Sequence, residues 1–147
     1  MRALIQRVKS ASVEVEDKIV SEINSGLVVL LGITHDDSLN DTKYLINKII
    51  NLRIFGNDKN DNFELSLLET KKDILIISQF TLFANTRKGR RPSFIESAKS
   101  DNAKRIYDEF IDIISEEQIN IKTGIFGAKM LVQINNDGPV TISIDSR

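Results

Sequence analysis

Asp73-Ile74-Leu75-Ile76-Ile77-Ser78-Gln79-Phe80-Thr81-Leu82-Phe83-Ala84 is the stretch that decides how this chain is read. Its first half is a short apolar run rich in β-branched residues, the mark of a strand buried on both faces. Polarity then enters without a turn signal, since Ser78, Gln79 and Thr81 come before any Gly or Pro. Alternation along a strand puts Leu75, Ile77, Gln79 and Thr81 on one face and Ile76, Ser78 and Phe80 on the other. Buried polar groups need partners. An amide and hydroxyls at the end of a core strand therefore either satisfy a neighbouring loop or present a site. A second unusual stretch, Asn135-Asn136-Asp137-Gly138-Pro139-Val140-Thr141, lies far along the chain. The two stretches are expected to build one pocket.

Outward from the central strand, the chain reads as one domain over its 147 residues, long enough for a real core. Ala3 to Val8 and Ala11 to Glu16 read as two strands, Glu16-Asp17-Lys18 as a turn, and Ile19 to Ile23 as the return. After the turn Asn24-Ser25-Gly26, Leu27 to Ile33 is a central strand, so the first quarter reads as an antiparallel meander. Ser38 opens a helix, with Asp41 completing a capping pair and Leu39, Leu45, Ile46, Ile49 and Ile50 at helical spacing. Asp36 and Asp37 favour that helix N-terminus electrostatically. Gly56 through Asn62 reads as a polar loop, and Phe63, Leu65 and Leu67 as a short strand. A second helix spans about Asp101 to Ser115. Ile119 to Lys122, Met130 to Asn135 and Val140 to Ile144 are further strands. The fold class is mixed α/β (α+β): a mostly antiparallel, curved, barrel-like sheet with two main helices outside.

Bulk properties exclude several functions. A net charge of −1 argues against general coating of nucleic acid, which needs a strongly basic domain. Without cysteine there is no thiol nucleophile and no Cys-ligated metal, and the single histidine, His35, leaves little for a triad or a zinc site. No metal or cofactor is expected. No apolar run is long enough to span a membrane, and a cytoplasmic location is the default expectation.

The candidate sites each have two readings. Gly138-Pro139 between two strands is a hairpin turn by local sequence, or a place where a cis peptide aims two carbonyls the same way as a rigid wall. Thr81 as a nucleophile lacks an adjacent base. Arg87, Lys88, Arg90 and Arg91 put four cations in five positions just after the pocket strand, which is either a solvated loop or a phosphate contact. Phe126 and Met130 are plain core or an apolar floor for a base.

Ser78-Gln79-Phe80-Thr81-Leu82 and Asn136-Asp137-Gly138-Pro139-Val140-Thr141 together resemble the two signature motifs of the D-aminoacyl-tRNA deacylases. The resemblance runs end to end, through Ala3 to Val8, Gly26 to Gly32, Arg53-Ile54-Phe55, Arg91-Pro92-Ser93-Phe94 and Thr123 to Met130. A related class carries Pro-Gln-Ala-Thr at the first motif; Ser78 and Phe80 align this chain with the D-specific type. The resemblance implies that family's fold, a homodimer, and hydrolysis of D-aminoacyl-tRNA and glycyl-tRNA at the 3′ terminal adenosine. It assigns catalysis to Ser78, Gln79, Phe80 and Thr81. It assigns substrate binding and rejection of L-amino acids to Gly138, Pro139, Asn136, Phe126 and Met130, with the Gly-Pro dipeptide inserted in cis into the partner's pocket. tRNA binding would fall to Arg91, with Arg87 and Lys88. The alternatives are a small-molecule esterase and a non-enzymatic RNA 3′-end binding module on the same scaffold.

Overall fold

Residues 1–57 and 59–147 are described by a computed structural model, Asp61 by its backbone alone. Eight strands and three helices are present among them. The longest early element is β1, Arg2–Val15. It is one strand where two were expected. Its register against the last strand slips on either side of Val8, so Lys9 and Ser10 interrupt the apolar alternation without ending the ladder. β2 (Lys18–Ile23) pairs with the Ala11–Val15 half of β1, and β3 (Gly26–Gly32) with the Arg2–Val8 half. The first quarter is thus no meander: β2 and β3 follow one another along the same strand. The turn into β2 places Glu16 and Asp17 at φ +51° and +60°, the left-handed geometry that a tight hairpin needs.

α1, Leu39–Asn51, opens at Ser38, whose amide and hydroxyl both donate to the Asp41 carboxylate at 2.9 and 2.7 Å. Leu45, Ile46, Ile49 and Ile50 are buried as their spacing predicts, but Leu39 is exposed, on the opposite side of the first turn from buried Asp41. Asp37 does not serve the helix end. It is buried, accepting from the Thr34 amide at 2.7 Å and from the Met1 ammonium at 2.5 Å. Most of the expected polar loop is instead a hairpin of β4 (Phe55–Asn57) and β5 (Asn60–Leu65); its position Asp58 lies outside the described residues. Leu67 opens α2, Leu67–Thr70, rather than continuing a strand, because Ser66 and Glu69 form a capping box there.

β6, Asp73–Ser78, lies between β3 and β7 (Ile121–Thr123), parallel to both. Its four central residues, Ile74 to Ile77, are at most 1% exposed. Two separate apolar clusters account for this. Ile74 and Ile76 join Leu45 and Ile49 of α1 and Ile106, Tyr107 and Phe110 of α3 (Ser100–Ile114). Leu75 and Ile77 join Val8, Val13, Val28 and Met130 inside the curl of the sheet. The curl nearly closes where the Ser21 hydroxyl donates to the Thr123 carbonyl at 2.6 Å. β8, Leu131–Asp145, pairs along β1 on the edge opposite β2 and β3. It is again one strand where two were expected, since Gly138-Pro139 does not turn the chain. No helix among the described residues is long and apolar enough to cross a membrane.

Two outcomes follow from this packing. A Cβ at Gly26 would stand 1.9 Å from the Asp73 carbonyl oxygen, in the β3–β6 ladder itself. Gly26→Ala is expected to cost about 3 kcal/mol or more, read as a lowered urea midpoint; an unchanged midpoint would contradict this register. Burial pushes the Asp41 carboxyl up, but hydrogen bonds from Arg147, Ser38 and Ser146 outweigh it and hold the group well below the usual carboxylate range. A depressed carboxyl stabilises the fold above the unfolded value, about pH 4, and that contribution is lost as pH falls below it. Asp41→Asn should therefore lower Tm at pH 7, and the gap from wild type should narrow in thermal melts taken at progressively lower pH.

Candidate active site

Polar residues reach the site because β6 stops pairing. Its last partner is Leu31 opposite Ser78, and the Gln79 amide still donates to the Leu31 carbonyl at 2.8 Å. The chain then tightens into a 3-10 turn, Phe80–Phe83. The strand alternation expected through Thr81 is therefore wrong beyond Ser78. A 3-10 turn rotates successive residues by a third of a circle, so the two-face assignment ends with the strand. Ile77, Ser78, Gln79 and Phe80, four consecutive residues, all line one cleft. Gly32 lets the turn sit against the end of β3: a Cβ there would meet Leu82 Cβ at 3.0 Å and the Gln79 carbonyl at 3.2 Å.

The cleft has a volume of about 620 Å³ and a largely apolar lining. Phe126, Met130 and Val132 join Ser78, Gln79 and Phe80 in it, with Phe94, Ser97, Ala98, Lys99, Ser100 and Ala103 completing the wall. Phe126 and Met130, left open between core and floor by their spacing, are half-buried lining residues. Phe80 is held twice. Its carbonyl accepts from the Ser97 hydroxyl at 2.8 Å, and its ring meets Phe94 edge-on with centroids 4.9 Å apart. The Gln79 side-chain amide donates to the Thr81 hydroxyl. Thr81 itself is exposed and lies outside the cleft lining. The first amides of a helical turn have no partner within it, so those of Phe80 and Thr81 are left over by the turn. Ser97, Lys99 and Ser100 were not singled out from the sequence. The only signal was their position, between the basic loop and the start of a helix.

Gly138-Pro139 does not line this cleft, so within one chain the two stretches do not build one pocket. The reason is topological: β8 leaves β1 only as a bulge, between the pairs Val8–Asn136 and Gln6–Thr141. Gly138 and Pro139 are exposed at its crest, joined by a cis peptide, with Gly138 at φ +126°. Asn136 braces the bulge. Its side chain accepts from the Val140 amide at 3.1 Å and donates to the Val140 carbonyl at 3.2 Å, replacing the ladder bonds lost there. Buried Arg7 supports it from below, donating to the Asp137 carbonyl at 3.2 Å and the Ile54 carbonyl at 2.9 Å. Arg87, Lys88 and Arg91 lie on an exposed loop outside the cleft. That loop is closed by reciprocal Asn85–Ser93 backbone bonds of 2.8 and 2.9 Å, immediately before Phe94.

The model of the D-Tyr-tRNA(Tyr) deacylase family matches residues 4–145. The chain belongs to that family. A D-aminoacyl-tRNA deacylase of Clostridium botulinum (strain Alaska E43 / Type E3) is 53% identical over 146 residues, covering 99% of this chain and 97% of that relative. One from Thermosipho africanus (strain TCF52B) is 54% identical over 147 residues, covering 100% and 98%. A solved structure described as a c-Myc DNA unwinding element binding protein superposes with TM-score 0.95 at 38% identity, covering 100% of this chain and 99% of that one. A probable eukaryotic D-amino acid tRNA deacylase shares the fold, with TM-score 0.83 at 21% identity over 98% of each chain.

The brace at Asn136 makes a stability prediction. Asn136→Ala leaves the Val140 amide, in a residue only 8% exposed, without its acceptor. The expected cost is about 1–3 kcal/mol, measured by denaturant unfolding. Asn136→Asp keeps the acceptor and should lose less; equal losses would mean that the bulge is held some other way.

Proposed function

We propose that the cleft holds the aminoacyl-adenosine end of a D-aminoacyl-tRNA and that the chain hydrolyses its ester, releasing free D-amino acid and intact tRNA. The chain is a hydrolase by family. The observation that carries the rest is the lining of the cleft: hydroxyl, amide and aromatic groups at the end of β6, over an apolar floor, with neither carboxylate nor imidazole among the described lining residues. Such a wall can orient an ester but cannot deprotonate water. An aminoacyl ester is already activated, and positioning is what it needs most.

In this reading Ser78, Gln79 and Phe80 position the aminoacyl-adenosine. The left-over amides of Phe80 and Thr81 donate to the oxyanion that develops on the ester carbonyl. A water oxygen bonds to the carbonyl carbon, and the bond to the ribose 3′ oxygen breaks. The neighbouring ribose 2′-hydroxyl relays the proton from water to that leaving oxygen. Thr81, whose hydroxyl takes a hydrogen bond from Gln79 and has no base beside it, helps to hold the turn rather than attack.

Hand selection comes from a second copy of the chain. Gly138 and Pro139 stand exposed on a braced bulge outside their own cleft, and Phe80 at the cleft is 54% exposed. In a homodimer the dipeptide of one subunit enters the partner's cleft. Its carbonyls occupy the space an L side chain requires, which is exclusion by clash. D side chains point outward, and glycine, having none, is accepted, so glycyl-tRNA is also cleaved. Arg91, with Arg87 and Lys88, meets the RNA backbone beyond the cleft. A non-enzymatic nucleic-acid binding module is the second reading, favoured by the basic loop and by the description of the neighbour at 38% identity.

Single-turnover assays separate these readings. D-tyrosyl-tRNA should release D-tyrosine at a rate at least about 100-fold above L-tyrosyl-tRNA, a ratio worth about 2.7 kcal/mol in the transition state. A tRNA ending in 2′-deoxyadenosine should bind normally and turn over slowly. Thr81→Val should leave measurable turnover. Equal rates for both hands would remove the chiral wall, and binding without release would establish the binding module. Fast cleavage of the deoxy substrate, with none by Thr81→Val, would make Thr81 the nucleophile.

A further inference from the structure

We propose that Lys99 receives the phosphodiester that joins the terminal adenosine to the rest of the RNA, and so sets how far the aminoacyl end enters the cleft. The inference rests on the functional reading above. Among the described residues that line the cleft, Lys99 alone is ionisable. It is exposed, and among the described residues no hydrogen bond or ion pair engages its side chain. Whatever anionic group the ligand carries has one cationic side chain in the cleft wall to meet.

The fold does not account for this lysine. Lys99 occupies the N-cap of α3 and makes no side-chain capping bond. Ser, Thr, Asp and Asn are preferred at that position because their side chains satisfy the orphan amides. A cation is disfavoured there by the positive end of the helix dipole. Lysine at this position therefore costs the helix stability, and the reason for it lies outside the helix.

The chemistry of the ligand decides which part Lys99 meets. The aminoacyl group carries an ammonium, which Lys99 repels, and the ester itself is uncharged. Adenine and ribose are neutral. The nearest anion on the substrate is the phosphate 5′ to the terminal adenosine. Lysine suits that role as a flexible point charge, since no planar pairing is needed. The loop cations Arg87, Lys88 and Arg91 lie outside the cleft, so Lys99 is the last positive charge the strand passes before the reacting ester.

The test compares D-tyrosyl-tRNA with D-tyrosyl-adenosine, which has no phosphate, for the wild-type chain, Lys99→Ser and Lys99→Arg. Lys99→Ser supplies a preferred N-cap and should melt no lower than wild type. It should raise KM for D-tyrosyl-tRNA about fivefold with kcat unchanged. Its log(kcat/KM) should fall with log salt by about 0.7 less per decade. Its kinetics on D-tyrosyl-adenosine should match wild type, and Lys99→Arg should restore most of the loss on tRNA. An unchanged KM for D-tyrosyl-tRNA in Lys99→Ser would overturn the inference. So would an equal rise for both substrates, which would place Lys99 at the aminoacyl end. If the wild-type chain cleaves neither substrate, the functional reading itself fails and Lys99 falls with it; normal wild-type cleavage with no substrate-dependent effect condemns Lys99 alone.

Discussion

The cleft depends on one strand that is paired on both edges and buried on both faces until it abruptly ceases to be. β6 is held by β3 and β7 over Ile74 to Ile76, loses β7 after Thr123, and loses β3 after Leu31. Over Ile74 to Ile76 the strand is paired on both edges, and the side chains of Ile74 to Ile77 are divided between two apolar clusters. Beyond it the chain must satisfy itself, and a 3-10 turn does so by bonding locally, as from the Ala84 amide to the Thr81 carbonyl at 3.0 Å. The result is a short 3-10 turn anchored on a strand buried on both faces. Ser97 and Phe94, arriving from the far side of the basic loop, clamp it from outside.

The second exceptional feature, the bulge at residues 137–140, is built on the opposite principle. There the strand continues, but its partner is replaced by side chains. Asn136 mimics the missing ladder on one side of the bulge, and the Arg7 guanidinium ties Asp137 to Ile54. Arg7 is 2% exposed, and such a charge is tolerated in the interior only because backbone carbonyls and the Asp137 carboxylate surround it. A loop would have left the dipeptide free to move. A braced bulge presents it in one orientation, which is what the proposed steric filter requires.

The electrostatics of the cleft are spare. Apart from Lys99 its described lining offers dipoles rather than charges, and a low-dielectric surround makes dipoles effective where charge develops in a transition state. That suits an activated ester better than an amide, whose cleavage needs proton transfer to a poor leaving group. The basic loop extends positive charge beyond the cleft while the chain as a whole remains near neutral, at net charge −1. In the proposed reading, RNA attraction is thus local to that loop rather than spread over the surface.

Much of this was legible in the residues alone. The β-branched run Ile74 to Ile77 announces a doubly buried strand, the spacing in α1 and α3 announces their faces, and the two motifs name the family. Those signals are short-range, because side-chain periodicity and capping chemistry act within one element. What escaped was long-range. Whether Lys9-Ser10 and Gly138-Pro139 end a strand or only bend it depends on whether β1 and β8 find each other across the chain, since ladder bonds from a distant partner outvote a local turn signal. Likewise the faces of Gln79 and Thr81 depend on where β3 stops, and the place of Lys99 in the cleft depends on how α3 docks against that sheet. The sequence by itself determined which residues are polar, buried and helical; only tertiary pairing decided where strands stop, and the cleft lies at such a stop.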